Sequence, residues 1–287
     1  MSLQLLTTKK NMITKKIVPI FAGGGTRLPA HVGILQSLQE FNIDFDHLVG
    51  VSGGSIISSL YASGLSLAEI KHIALNTDYN QFREFSLIKL VRSGGLSSGD
   101  VFERWIDRLL NGKTFAELDY NLHIVATDVA RGQPVIFDKE HTPNVKVSLA
   151  VRFSMSIPLV FSFKTFGKHL MVDGSILSED ALHRDWAGDG TPVICFRLKG
   201  EYEYDEIQVK GIFPIVQYIS LLIRTFMTTI SREYINNEFW HNTVVVNTGL
   251  SSAVDFNMTS DQKEALFFKG YHTANKILPI KIKAITK

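Results

Sequence analysis

The sequence predicts an α/β protein of three layers, with a central, mostly parallel sheet covered by helices. Three observations carry this. Short apolar runs alternate with helix-periodic segments in the first third, in the order strand, glycine-rich turn, helix, strand, glycine-rich turn, helix. That order is the signature of parallel strands joined by crossover helices. The chain has 287 residues, 45% of them hydrophobic, which suffices for one large core. No run of proline, serine or charge is long enough for a linker, so one domain over residues 16–287 is expected behind a flexible, basic N-terminal segment 1–15.

The elements follow in order. Lys16–Gly25, "KIVPIFAGGG", is an apolar run ending in glycines, a buried strand and its turn. Pro29–Phe41 has helical spacing in Val32, Ile34, Leu35, Leu38 and Phe41, with Pro29 in the first turn, where proline is tolerated. Phe45–Val51 is a second strand, and Gly53–Leu65 a helix stopped by Gly64. Ser66–Asn76 opens with a Ser-x-x-Glu capping box, Ser66 and Glu69. Ser97–Gly112 is a helix with its own capping residues. Asn121–Lys139 reads as two strands joined by a glycine turn, and Val147–Ile157 as a short helix halted by Pro158. Lys168–Ile176 is a strand ending in Asp-Gly; Thr191–Leu198 and Thr243–Gly249 are β-rich; Ser251–Leu278 ends the fold with a helix. There is no internal repeat.

Composition narrows the function classes. A formal net charge of +2 gives no argument for a nucleic-acid polymer as partner. The single cysteine, Cys195, lies in the apolar run "VICFRL", so no disulfide framework exists and a core thiol is expected. The first residues lack the apolar segment of a signal peptide. The most lipid-like stretch, Gly211–Ile230, is opened by Pro214 and interrupted by Arg224, which falls short of a membrane span. A cytoplasmic protein, peripherally membrane-associated when active, is the resulting expectation.

Three motifs carry chemistry. Ser52 lies between the second strand and its helix in Gly50-Val51-Ser52-Gly53-Gly54. In a Gly-x-Ser-x-Gly elbow the serine occupies a sharp, strained turn, glycines let neighbouring backbone pass, and the hydroxyl projects above the sheet edge. The helix N-terminus behind it adds positive potential. The second motif is Gly23-Gly24-Gly25-Thr26-Arg27. Consecutive glycines expose backbone N–H groups as an oxyanion hole for acyl transfer requires. Dinucleotide and phosphate loops fit poorly: Leu28 stands where the last glycine of Gly-x-Gly-x-x-Gly belongs, and no Gly-Lys-Ser/Thr follows. Arg27 reads either as a surface residue or as an anchor for the loop or a phosphate. The third motif is Asp173-Gly174 after a strand, either a simple turn or a catalytic base at the sheet's carboxyl edge. No paired His, Cys or Asp spacing suggests a metal.

These residues resemble the patatin-like phospholipase family, which shows a Gly-Gly-Gly-x-Arg/Lys loop, a Gly-x-Ser-x-Gly elbow and a later Asp-Gly in that order. Ala150–Phe161 is similar to the family's Ala-x-Arg-x-Ser-x-x-x-Pro segment, and Ala126–Phe137 to its Thr-Asp strand. The resemblance runs from about Ile17 to Leu278. It departs where the family usually places a glycine after the loop arginine; here Leu28-Pro29 follow. It implies the patatin-like three-layer fold, no cofactor, and a Ser-Asp dyad. Ser52 would attack the acyl carbonyl and Asp173 take the proton and activate water. Gly23, Gly24 and Gly25, within the Gly23–Arg27 loop, would bind the oxyanion, and Gly53 would add a donor. Spacing alone leaves a triad open, because His183 follows Asp173 in the Ser…Asp…His order. His31 reads as packed behind the glycine loop.

The implied substrate is a phospholipid or another acyl-ester lipid, met at a membrane surface. Tyr79–Gly99 mixes apolar residues with Arg83, Lys89 and Arg92 and ends in glycines; it is either a mobile lid or membrane contact, or an ordinary surface helix and loop. Phe213–Tyr234 is a core helix, a dimer face or an interfacial helix. Two other functions compete with lipid hydrolysis: a soluble carboxylesterase or thioesterase using the same dyad, and a ligand-activated, membrane-degrading effector of bacterial anti-phage signalling. Homodimerisation and an activating ligand stay open.

Overall fold

The structure, a computed structural model, describes residues 16–84, 86–177, 184–201, 218, 221, 222, 225 and 240–285. The segment 1–15, His183 and most of Phe213–Tyr234 lie outside the described residues. The strands are β1 (Val18–Ala22), β2 (His47–Val51), β3 (Gly95–Ser97), β4 (Asn121–Asp128), β5 (Gln133–Phe137), β6 (Leu159–Phe161), β7 (Lys164–Phe166), β8 (His169–Val172), β9 (Val193–Gly200) and β10 (Thr243–Gly249). The helices are α1 (Pro29–Glu40), α2 (Gly53–Ala62), α3 (Leu67–Asn76), α4 (Leu87–Ser93), α5 (Asp100–Leu109), α6 (Val147–Ser154) and α7 (Ser260–Ile285).

The main sheet has the order β10-β9-β1-β2-β4-β8-β7. From β10 to β4 every neighbouring pair is parallel. Parallel neighbours need long crossovers, which α1 and α2 supply in the first third. Beyond β4 the direction reverses. β5 and β8 both pair antiparallel with β4, and β7 with β8. Tight turns with glycine at positive φ, Gly132 (63°) and Gly167 (57°), make these hairpins. The expected α/β class with a mostly parallel sheet flanked by helices is what the chain adopts.

The central strands are apolar on both faces, as buried parallel strands are. Phe21, Leu48, Ile124 and Phe196 face the core built by α1, α2, α3, α5, α6 and α7. Val18, Ile20, Val49, Val51 and Cys195 face the other side, where Trp186 packs on them. Cys195 is a buried core thiol. Helices α1 and α7 cross in direct backbone contact: a Cβ on Gly33 would lie 2.1 Å from the Phe267 carbonyl oxygen, and one on Gly270 1.9 Å from that of Ala30. This fixes α1, and with it the glycine loop that leads into it.

Tyr79–Gly99 is more tied down than a glycine-ended lid. Ser86 caps α4 through Lys89 N at 3.2 Å, Gly94 (φ 70°) ends it, and β3 pairs in parallel with β6. Gly95 serves close packing, since a Cβ there would sit 2.1 Å from the Phe161 carbonyl carbon. Helix α5 begins after Gly99 with no side-chain cap, although Ser98 Oγ accepts from Asp100 N at 3.2 Å.

Candidate active site

Strand β2 ends at Val51 and α2 begins at Gly53, so the chain reverses at one residue, Ser52. Its backbone has φ 53° and ψ −131°, a sparsely populated region for a residue with a side chain and one that costs on the order of 1–3 kcal/mol. The surroundings hold it there. Ser52 N donates to Ser154 Oγ at 2.9 Å, and Ser154 Oγ donates to Val125 O at 2.6 Å. Ser52 O accepts from Ser55 N at 2.8 Å and Ser55 Oγ at 2.6 Å. The three glycines around the serine are all sterically required. A Cβ on Gly50 would lie 2.6 Å from Ser55 Cα, on Gly53 2.5 Å from Gly25 N, and on Gly54 2.0 Å from Phe21 O.

Strand β8 delivers Asp173 to the same edge. Asp128 pins that strand: its Oδ1 accepts from Leu170 N at 3.3 Å, and its Oδ2 pairs with His169 Nδ1 at 2.8 Å. Asp173 N donates to Ser156 O at 3.0 Å. Ser52 Oγ donates to Asp173 Oδ2 at 2.7 Å, and Ser175 N donates to Oδ1 at 2.8 Å. Both Ser52 and Asp173 are 0% exposed. Burial pushes the Asp173 carboxyl up to about 6, against the pull of its hydrogen bonds from Ser52 and Ser175.

The Gly23–Arg27 loop does not offer five N–H donors. Gly23 N is taken by Val51 O (3.0 Å), Thr26 N by Ala253 O (2.9 Å) and Arg27 N by Gly24 O (2.9 Å). Gly24 N and Gly25 N have no acceptor among the described residues. Gly53 N, at the start of α2, is one of the donors every helix leaves unpaired. The three glycines have φ of 71°, 115° and 53°, a run of positive values only glycine adopts freely. Arg27 is an anchor: it is buried, and it donates through Nε to Gly24 O at 3.2 Å and through Nη1 to Thr248 Oγ1 at 2.9 Å. Leu28 and Pro29, in place of the usual glycine, enter α1 without disturbing the run, with Pro29 at its first position. His31 lies one turn further, Nε2 3.0 Å from Gly23 O.

A narrow, almost wholly apolar cavity runs from this site. Gly25 and Thr26 form one end, and Ile56, Tyr79, Phe82, Phe102 and Trp105 line the walls. Met155 also lines it, and its sulfur is 3.9 Å from Ser52 Oγ, so cavity and hydroxyl are contiguous. Ser154, Met155 and Ser156 went unrecognised in the sequence as site residues, though Ala-x-Arg-x-Ser was the signal for them. Arg152, buried, braces that segment, donating to Ser156 Oγ (2.5 Å), Ser98 O (2.6 Å) and Ser162 O (2.8 Å). Among the described residues no group of three His, Cys, Asp or Glu side chains is placed to hold a metal ion, and no helix is long and apolar enough to cross a membrane.

A mostly parallel sheet with a glycine loop, a strained serine and a buried carboxyl at its carboxyl edge has the architecture of an α/β lipid acyl hydrolase. Residues 20–183 match the family described as Patatin-like phospholipase, and the chain belongs to that family of lipid acyl hydrolases. The uncharacterized protein R571 of Acanthamoeba polyphaga mimivirus is 30% identical over 264 residues, covering 86% of this chain and 88% of the relative. The uncharacterized protein YqhO of Bacillus subtilis is 27% identical over 276 residues, covering 88% and 94%. Among solved structures, VipD from Legionella pneumophila has a similar fold, with TM-score 0.62, 17% identity, and coverage of 92% of this chain and 67% of that one. Human GIVD cytosolic phospholipase A2 has TM-score 0.52 at 12% identity, covering 94% and 59%.

Proposed function

We propose that the chain hydrolyses carboxyl esters of phospholipids through a Ser52–Asp173 dyad. The observation that carries the reading is the 2.7 Å hydrogen bond from Ser52 Oγ to Asp173 Oδ2 at a strained strand-to-helix turn. Ionised Asp173 takes the hydroxyl proton as Ser52 Oγ attacks the ester carbonyl, giving a tetrahedral oxyanion. The unpaired N–H groups of Gly24, Gly25 and Gly53 receive that charge, aided by the N-terminus of α2. Asp173 then passes the proton to the departing alkoxide and leaves an acyl-serine. In the second half Asp173 deprotonates a water, which attacks the acyl-serine, and the proton returns to Ser52 as the fatty acid leaves. No histidine among the described residues bonds to either partner. The cavity that reaches Met155 is lined almost wholly by apolar side chains, the lining an acyl chain favours, and a phospholipid presents such chains at a membrane surface.

The test is fatty-acid release from mixed phospholipid vesicles by wild type, Ser52→Ala and Asp173→Asn. Release in the wild type, lost by at least about a thousandfold in both variants, is expected when a nucleophile and its base are removed. Rapid cleavage of short soluble esters with no release from vesicles would move the substrate to small esters. His183→Ala belongs in the same series: a loss as deep as that of Ser52→Ala would replace the dyad with a triad.

Complete burial of Ser52 and Asp173 favours a second reading, in which the same hydrolase is silent until a lipid surface or an effector opens it. A solved complex of ExoU, whose fold is similar at TM-score 0.51, is a heterodimer with SpcU. Silence of the wild type in buffer, relieved by an added effector, would select this reading.

A further inference from the structure

We infer that His31 is a positioning residue for the oxyanion donors, holding the first peptide plane of the glycine loop so that the Gly24 N–H faces the reacting carbonyl. The inference rests on the Ser52–Asp173 reading. A peptide unit is planar and trans, so its C=O and N–H point in opposite directions. The peptide that carries the Gly24 N–H also carries the Gly23 carbonyl, and His31 Nε2 lies 3.0 Å from that oxygen. Fixing the oxygen aims the N–H on the other side. The next peptide is held in the same way. Its carbonyl, Gly24 O, accepts from Arg27 Nε at 3.2 Å and Arg27 N at 2.9 Å, and its N–H is that of Gly25. Arg27 and His31, four residues apart, thus take one carbonyl each.

The loop needs such clamps. Three successive glycines at positive φ have no side chains to resist rotation of the peptides between them. Gly25 is further confined, because a Cβ there would strike Ala253 O at 2.0 Å. The Gly23–Gly24 peptide has His31 alone among the described side chains on its carbonyl. The imidazole is itself rigid. It is 0% exposed, and the Phe21 ring meets it edge-on at 5.5 Å.

The protonation state follows from the contact. A ring nitrogen facing a carbonyl oxygen has to donate, so Nε2 carries the hydrogen. Nδ1 is then an acceptor, and it has no partner among the described residues. An apolar side chain would fill the space without the desolvation cost of that orphaned atom. What an apolar residue lacks is the N–H on Gly23. Burial, with the Arg27 charge adding to it, keeps the ring neutral, lowering it to about 4. The donor is therefore unchanged over the range in which Asp173 ionises. His31 makes no hydrogen bond to Ser52 or Asp173, so its effect passes through the loop.

The experiment compares wild type, His31→Leu and His31→Gln in ester hydrolysis and in binding of two ketones of equal chain length. One is a long-chain trifluoromethyl ketone, which adds a serine oxygen to form a tetrahedral adduct; the other is the unreactive methyl ketone. His31→Leu is expected to lower kcat about 10- to 100-fold, somewhat less than outright removal of a donor, with KM within about threefold. It should weaken the trifluoromethyl ketone by a similar factor and leave the methyl ketone within about twofold. His31→Gln, whose amide N–H can meet the same carbonyl, should recover kcat to within about fivefold of wild type. If His31→Leu does not fold, His31→Asn, too short to reach Gly23, replaces it. Full kcat and full trifluoromethyl ketone affinity without the donor would overturn the inference. So would equal weakening of both ketones, which marks a packing role only. With anionic phospholipid vesicles present in every assay to open the site, a wild type that neither hydrolyses esters nor binds the reactive ketone more tightly than the methyl ketone would overturn the Ser52–Asp173 reading itself, and the positioning role with it.

Discussion

Asp173 spends its free energy in an unusual place for a carboxylate. It is fully buried and has hydrogen bonds but no cation on it among the described residues, so folding raises it from 3.8 to about 6. Between those pH values the native state binds more protons than the unfolded chain, and stability falls as pH rises. The contribution is fully present below 3.8 and lost through about 6. Asp173→Asn, which cannot ionise, is therefore expected to be more stable than wild type at pH 7.5, by up to about 3 kcal/mol, while having no turnover. At pH 4 the difference should vanish. Urea denaturation of both proteins at the two pH values checks this; a less stable Asn variant at pH 7.5 would mean that the charge is solvated in a way the geometry does not provide. The same ionisation makes wild-type kcat/KM rise with pH through about 6 and level off above it, with no second rise from His31. At this scale the serine, the aspartate and the glycines of the candidate site were legible in the sequence, because glycine spacing marks the elbow and the loop, and the serine and the Asp-Gly stand where short apolar runs end. Which of the loop's N–H groups stay unpaired was not legible. That depends on Val51 O and Ala253 O, which the fold brings in from elsewhere in the chain.

Helix α6 joins the two halves of the site. Its last residue, Ser154, accepts from the Ser52 N–H, and the carbonyl of Ser156, two residues beyond its end, accepts from the Asp173 N–H, so two side chains 121 positions apart in sequence are spaced by three consecutive residues. Ser154→Ala leaves both Ser52 N and Val125 O without a buried partner. A loss of about 1–3 kcal/mol in stability is expected, together with about a tenfold loss in turnover as the elbow relaxes away from Asp173. Urea unfolding and kcat on one preparation separate the two effects, and unchanged kcat in a destabilised variant would confine Ser154 to stability. Among the elements, β1-α1-β2-α2 was readable because each has enough residues to express its period. Even Gly33 did not hide α1, and its role, close contact with α7, is an ordinary reason for glycine within a helix. The three-residue strands β3, β6 and β7 were not readable. Their strand character comes from pairing, of Gly95 with Leu159 far along the chain and of Lys164 with Met171 across a tight hairpin, and three residues carry no periodicity. The glycines that end Tyr79–Gly99 were not readable either, since Gly94 caps a helix and Gly95 packs against backbone brought from Phe161.

For the whole molecule, the candidate site is buried. Ser52 and Asp173 have no exposed surface, and two segments from distant parts of the chain contribute to the lining, or roof, of the cavity beside them. Tyr79 and Phe82 form one. The other is the connection between β10 and α7, where Thr26 N donates to Ala253 O at 2.9 Å and Val254 and Phe256 line the cavity. With Ser52 fully buried, a lipid acyl chain is expected to reach it only if one of these gives way. Near the first segment, α4 offers Ile88, 68% exposed, beside the exposed Arg92 and beside Lys89, which is paired with Glu84 at 2.7 Å, and Phe163, 45% exposed, packs close to Gly94. Apolar tips among cationic side chains suit an anionic lipid surface. Opening is thus expected to couple to membrane contact, and the rate at which a short-chain fluorophosphonate labels Ser52 reports it directly. Labelling should be slow in buffer and rise at least about tenfold on adding anionic vesicles. Ile88→Glu should remove most of that rise without altering the rate in buffer, because Ile88 lies outside the cavity lining. Fast labelling in buffer would mean that the roof opens unaided. Slow labelling that vesicles fail to accelerate would leave the roof as the barrier and assign its opening to an effector other than lipid.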